Sequence, residues 1–331
     1  MHLGEPMRVL ITGITGFVGS HLADYILADH PQVEVVGLKR WRSPQDNIRQ
    51  LEDKVKFYDC DLRDLSSLTT VLGQVKPDVI FHLAAQSFVT ASYIIPVDTV
   101  QTNMVGTLNL LEAVRICQLE PVIHICSSSE VYGQVTEQDI PIKEDCPLRP
   151  VSPYGVSKAG ADLLAHMYHK AHGLKTIRTR AFTHSGPRRG EVFVDSFYCL
   201  QVARIEQGLQ AQTVRVGNLD SLRTFCDVRD MVRAYWLVAQ HGQPGEVYNI
   251  GGSTTMTIRQ MLDMLLEMST FKENIDVKVD PTLLRPADVT LQVPCNTKFK
   301  DATGWEPIIP YAETLTDMLE YWRKQARNGL A

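Results

Sequence analysis

The chain has little of what marks a protein for export, for a membrane or for a polyanion. Its seven cysteines, Cys60, Cys117, Cys126, Cys146, Cys199, Cys226 and Cys295, are scattered, odd in number and never paired at the short spacings of zinc sites. That argues against a disulfide framework, predicts no metal, and suits a reducing, cytoplasmic setting. No apolar run approaches the roughly 20 residues of a spanning helix, so no membrane is expected as a partner. The polar start Met1-His2-Leu3-Gly4-Glu5-Pro6 runs directly into a strand-like stretch, so no leader is expected either. A net charge of -5, without a basic cluster interleaved with aromatics, argues against nucleic acid but leaves room for a small anionic ligand. Internal repeats and low-complexity tracts are absent.

What the chain does have is length and a regular alternation. Its 331 residues can bury one large core or two fused smaller ones. Short β-branched runs alternate with amphipathic stretches: Arg8-Val9-Leu10-Ile11, then 17–30; Val33 to Leu38; Val55 to Tyr58, then 64–75; Val79 to Leu83, then 97–118; and Val122 to Ile125. This predicts an α/β fold, a doubly wound parallel sheet of the Rossmann type with helices on both faces. From about Phe182 the pattern loosens. A helix is expected near 195–208, then a segment rich in Arg, Asp and Pro at 281–296, and a closing helix near 311–327. The expected division is a dinucleotide-binding domain over 7–182, rejoined by segments at about 225–255 and 290–308. A smaller, discontinuous substrate lobe would take 183–224, 256–289 and 309–331. Glu246 to Ile250 is expected to return to the main sheet.

The stretch Ile11 to Leu22 lies where the first strand should turn into the first helix. Glycines at Gly13, Gly16 and Gly19 allow a tight turn, close approach of backbone to a pyrophosphate, and close packing of helix on strand. The helix N-terminus then offers free N–H groups to the phosphates. At the end of the second strand, where a carboxylate would accept from the ribose of NAD, stand Lys39-Arg40-Trp41-Arg42. Cations without a carboxylate favour a 2′-phosphate, and so NADP over NAD. The alternative is a cluster of solvated surface charges.

Tyr154-Gly155-Val156-Ser157-Lys158 puts a phenol and an ammonium one helical turn apart on one face. The cation is expected to stabilise phenolate and bring the tyrosine toward a working general base. Directly after the strand at 122–125 comes Cys126-Ser127-Ser128-Ser129-Glu130-Val131-Tyr132-Gly133, at the carboxyl end where ligands bind in open parallel sheets.

With these elements, and with Asp61-Leu62, His82-Leu83-Ala84-Ala85-Gln86-Ser87, Asn103 and Gly106-Thr107, the chain resembles the extended short-chain dehydrogenase/reductase family over essentially its whole length. The resemblance implies cofactor contacts from Gly13, Thr15, Gly16, Phe17, Val18, Gly19, Arg40, Asp61, Leu62, Leu83, Ala84, Ala85, Ser87, Tyr154, Lys158, His184 and Arg189. Ser128-Ser129-Glu130 matches the Ser/Thr-x-Glu of the nucleotide-sugar 4,6-dehydratase branch. It implies Tyr154 as base at O4, Lys158 as its support, Ser128 as partner of O4, and Glu130 as base at C5 and acid at C6. The plainer reading of Glu130 is a surface carboxylate at a helix entry.

Three further stretches resemble the GDP-mannose 4,6-dehydratase family. Pro187-Arg188-Arg189-Gly190-Glu191 is similar to a loop that reaches a cofactor across a subunit contact, which implies a homodimer or homotetramer. Gly217 to Arg223 and Leu284 to Val289 are similar to nucleotide-binding stretches. The implied nucleotide-sugar contacts are Ser87, Ser128, Glu130, Thr183, Asn218, Arg223, Arg285 and Asp288, with paired charges on a diphosphate. Thr183 departs from the family's usual Asn. A keto-sugar reductase, a dehydratase of another nucleotide hexose, and a silent NADP-binding regulator remain as alternatives.

Overall fold

The computed structural model describes residues 6–329; positions 1–5, with most of the polar start, and 330–331, the end of the last lobe segment, lie outside the described residues. Seven parallel strands form one sheet, in the order Val247–Ile250, Lys175–Ala181, Val122–Cys126, Val79–His82, Arg8–Thr12, Glu34–Lys39, Lys56–Asp59. The expected return of 246–250 is met at one edge.

Period-two alternation distributes the strand residues between two faces. Val9, Ile11, Val79 and Phe81 pack with helices Phe17–Asp29 and Val228–His241 through Leu22, Ile26, Met231 and Tyr235. Leu10, Ile80, Ile123 and Ile125 face helices Leu65–Val75, Gly106–Ile116 and Pro153–His172 through Leu68, Leu72, Leu110, Leu111 and Ala165. Covering on both sides is why these strands read as nearly continuous apolar runs. Truncating the fully buried Leu10 to Ala costs about 2–5 kcal/mol.

The helix expected at 97–118 is interrupted. Pro96–Val100 passes through a π turn at Gln101–Val105 into Gly106–Ile116. Asn103 lies in that turn, donates to the carbonyl of Gln86 and the hydroxyl of Ser157, and accepts from the Gln86 N–H. It therefore ties the loop after the fourth strand to the helix that carries Tyr154.

A separate apolar cluster joins helices Val194–Glu206, Ile258–Glu267 and Tyr311–Arg327, with Val202, Leu262, Leu265, Leu315 and Met318 at its centre. Beside it Leu222–Asp227 lies between Thr254–Thr257 and Leu291–Gln292, and also pairs with His184–Ser185. Thr254–Thr257 thus joins the small sheet, whereas Val228–His241, Phe299 and Trp305 pack on the large one.

Candidate active site

The first strand ends in a turn with no room for side chains. Gly13 has φ +72°, and a Cβ there would lie 2.7 Å from backbone atoms of Ala84; at Gly19 it would lie 2.4 Å from the Gly13 carbonyl oxygen. The helix that follows, Phe17–Asp29, has Gly16 at its N-cap and no side-chain cap. The helices beginning at Leu65, Pro153, Val228 and Ile258 are capped instead by Asp64, Ser152, Asp227 and Thr257. An uncapped N-terminus leaves N–H groups to be satisfied from outside the helix, and Phe17, Val18 and Gly19 open onto a cavity of about 740 Å³. The cradle suits a pyrophosphate.

The same cavity continues to the end of the second strand, where Lys39 and Arg40 line it. Arg40 is exposed. No carboxylate stands there to accept from a ribose, so these residues fit a 2′-phosphate. Asp61, after the third strand, is occupied by Arg63, whose guanidinium hydrogen-bonds it at 3.2 and 3.0 Å and holds its carboxyl below the usual range. Arg63 also lines the cavity and reaches Asp98 at 3.1 Å. The sequence reading missed it, and its signal was adjacency to Asp61.

Ser152 accepts from the Gly155 N–H at 3.0 Å and Pro153 occupies the first turn, so the helix Pro153–His172 starts where it presents Tyr154 and Lys158 to the cavity. The structure gives the Tyr154 phenol and the Lys158 ammonium different partners. Burial pushes Tyr154 well up, and the group that pulls it back is the Ser128 hydroxyl. Burial also pushes Lys158 down, and its ammonium donates to the Cys126 carbonyl.

Glu130 lies in a one-turn helix at Ser129–Val131, capped by Ser128, whose Oγ accepts from the Glu130 N–H at 3.2 Å. Its Oε1 accepts from Gln292 Nε2 at 3.2 Å and stands 3.9 Å from Arg285 Nη1. Arg223 is buried, donates to the Val289 carbonyl at 3.0 Å and has its pKa lowered by burial, with Glu130 opposing.

The structure brings to one cavity every expected contact residue except Asn218 and Asp288. Those two bind each other at 2.9 Å, and Ser221 donates to the same Asp288 oxygen at 3.0 Å. The other oxygen of Asp288 faces Arg223 at 3.6 Å and Arg285 at 3.9 Å. Asp288 thus lies against the two arginines, and Asn218 against Asp288.

The loop after Pro187 packs on its own chain. Arg188 pairs with Asp24 at 2.8 Å, and Arg189 pairs with the fully buried Asp195 at 3.1 Å while lying over the rings of Phe193 and Phe17. Arg189 thus enters the cavity of the chain that carries it. His184, stacked on Phe17, is pushed down to about 4 by burial and stays neutral at pH 7. Also pushed down, to about 3, is His82, which is bonded to Thr12 and Thr107 and locks the first strand to the fourth.

Known proteins are similar to this chain over most of its length. The GDP-6-deoxy-D-mannose reductase of Pseudomonas aeruginosa is 32% identical over 97% of this chain and 98% of its own. A GDP-mannose 4,6-dehydratase of Vibrio cholerae is 34% identical over 94% and 92%. The structure of RMD from Pseudomonas aeruginosa complexed with NADPH superposes with a TM-score of 0.82, at 32% identity over 96% of this chain and 99% of that one. Because residues 10–318 match the family described as GDP-mannose 4,6 dehydratase, and the glycine turn, Tyr154, Lys158 and Glu130 meet in one cavity, the chain belongs to that family of Rossmann-fold enzymes.

Proposed function

We propose that the chain is an NADP-dependent GDP-mannose 4,6-dehydratase, a hydro-lyase that forms GDP-4-keto-6-deoxy-mannose and water. The observation that carries this reading is Glu130, a carboxylate on the same cavity wall as Tyr154 and Lys158. Oxidation or reduction alone needs only the phenol and the ammonium. Expelling the C6 hydroxyl needs a group that takes a proton and gives it back.

NADP, which the glycine turn with Lys39 and Arg40 would hold, would supply hydride acceptance from C4 and its return to C6. Tyr154 takes the O4 proton, with Ser128 bonded to the phenol and placed at the same oxygen. The C4 ketone acidifies C5. Glu130 takes the C5 proton and delivers it to the departing C6 hydroxyl as water. The proton count closes because the one lost at O4 is matched by one gained at C5. Arg223 and Arg285, held by Asp288, face the substrate diphosphate, with Thr183 beside them. Arg189 supplies charge at the cofactor from within the same subunit.

The reductase reading has its own support in the near-complete mutual coverage with the Pseudomonas aeruginosa reductase. Stoichiometry separates the two. Purified protein with NADP and a panel of GDP-, dTDP-, UDP- and CDP-hexoses is expected to remove water from GDP-mannose, by mass, with no net change in NADPH. Sustained NADPH consumption on a keto sugar, with no product from GDP-mannose, overturns the first reading.

The two separate apolar clusters support the division into a dinucleotide domain and a substrate lobe. A homodimer or homotetramer is supported by exposed Ile94, Val97, Val156, Leu163 and Met167 on neighbouring helices. Light scattering in solution tests it. Free thiols throughout suit a cytoplasmic location, and no helix among the described residues is long and apolar enough to cross a membrane.

A further inference from the structure

Glu130 has two oxygens, and the structure treats them differently. Both protein donors near the carboxylate converge on Oε1: Gln292 Nε2 at 3.2 Å and Arg285 Nη1 at 3.9 Å. Among the described residues no donor reaches Oε2, while Glu130 itself forms part of the cavity wall. Gln292 is 3% exposed and sits on the strand Leu291–Gln292, which pairs with Leu222–Arg223. The chain just beyond it is tied on the opposite side, where Ile142 N–H donates to the Val293 carbonyl at 2.7 Å and Cys295 N–H to the Ile142 carbonyl at 2.8 Å. Its backbone is therefore held on two sides.

An ionised carboxylate only accepts, so the amide nitrogen is the end of Gln292 that faces it. A proton on Oε1 would point at that N–H and break the bond, whereas a proton on Oε2 leaves it intact. Resting on the dehydratase reading above, we propose that Gln292 is a positioning residue. It anchors Oε1 of Glu130 and thereby makes Oε2 the one oxygen that takes the proton from C5 and returns it to the C6 hydroxyl.

In that step the C5–H bond breaks with its proton passing to Oε2. The electron pair left on C5 becomes the C5–C6 double bond as the C6–O bond breaks. The departing hydroxyl takes the proton from Oε2 and leaves as water, and Glu130 is again a carboxylate. A neutral amide suits this cycle better than a second cation at the same distance would. It orients the carboxylate in both protonation states, whereas another positive charge would hold it ionised and weaken it as an acid. The charged and titratable groups facing Glu130 are Arg285, Arg223, Tyr93 and Tyr154, so the amide is the neutral donor in a charged surround.

The test uses the full-length protein with NADP and GDP-mannose, comparing wild type with Gln292→Leu and Gln292→Glu across the pH range. Loss of the donor is expected to lower kcat about tenfold or more, since hydrogen bonds to charged groups carry that much, with KM changed no more than about threefold. The acid limb of the kcat profile moves to higher pH in Gln292→Leu, because the ionised form has lost its donor. It moves further in Gln292→Glu, which keeps the shape and adds a like charge. Adding Gln292→Leu to Glu130→Gln is expected to cost nothing more. Where Gln292→Leu does not fold, judged by its melting curve, the Gln292→Glu limb alone decides. An active wild type whose Gln292 variants keep its kcat and acid limb, or change only KM, overturns this inference and leaves the dehydratase reading standing. A wild type that removes no water from GDP-mannose overturns both.

Discussion

At the cofactor end of the cavity the wall is largely backbone: a glycine turn pressed against Ala84 and a helix N-terminus with no side-chain cap, with the neutral His184 beside it. At the substrate end the wall is made of charges held in pairs, with Arg223 and Arg285 against Asp288 and Arg285 against Glu130, and a further buried pair, Arg189 against Asp195, meets Phe17 beside the cofactor turn. Backbone geometry is robust to side-chain change. Paired buried charges are not, because each member left alone carries the full cost of its burial. The contrast means that one end is fixed by where the chain turns, and the other by which side chains find each other.

The largest effects are therefore expected at the charged end. Glu130→Gln should lower water elimination by about 10²–10⁴-fold while hydride exchange at C4 survives, followed by mass detection of product and by isotope exchange from labelled cofactor. Unchanged turnover would remove Glu130 from the reaction. Next comes Asp195→Ala, which strands Arg189 and should cost about 3–5 kcal/mol in urea unfolding; a loss below about 1 kcal/mol would reduce the pair to a surface contact.

Effects at the backbone end should be smaller. Arg40→Ser is expected to weaken NADP roughly 10- to 100-fold relative to NAD, the worth of a hydrogen bond to a charged group, read by titration of both cofactors. Equal affinities before and after would assign the 2′-phosphate elsewhere. The pH response is read in stability instead of in binding. Burial lowers His82 and His124 to about 3, and His21 and His184 to about 4, from an ordinary 6.5. The unfolded chain binds these protons near pH 6.5 and the folded chain does not until pH 3–4. Their contribution is thus fully present above pH 6.5 and falls as the pH drops toward 4, by at most about 1.4 kcal/mol per unit for each histidine. A flat stability profile between pH 7 and pH 5 would contradict the burial of these rings.

Tyr154 with Lys158, and Gly13 with Gly16 and Gly19, were legible because their spacing is local and their place at strand ends follows from the alternation of elements. The helices expected at 195–208 and 311–327 appear at Val194–Glu206 and Tyr311–Arg327 for the same reason. The π turn at Gln101–Val105 left no trace in a periodic pattern, since a helix with one extra residue keeps its apolar stripe on either side. Gln292 escaped notice because nothing in its neighbourhood along the chain marks it; its partner is 162 residues away.

By itself the sequence determined the parallel sheet and the glycine turn, and it marked Tyr154, Lys158 and Glu130 as candidates, since each is signalled by spacing within a turn or two of chain. Only the tertiary structure decided that Arg189 turns into its own cavity, that Asp288 lies against the two arginines, and that Lys158 donates to the Cys126 carbonyl. Those outcomes depend on which charges share a buried space. Burial is a property of the packed whole, so no local spacing of residues can specify it.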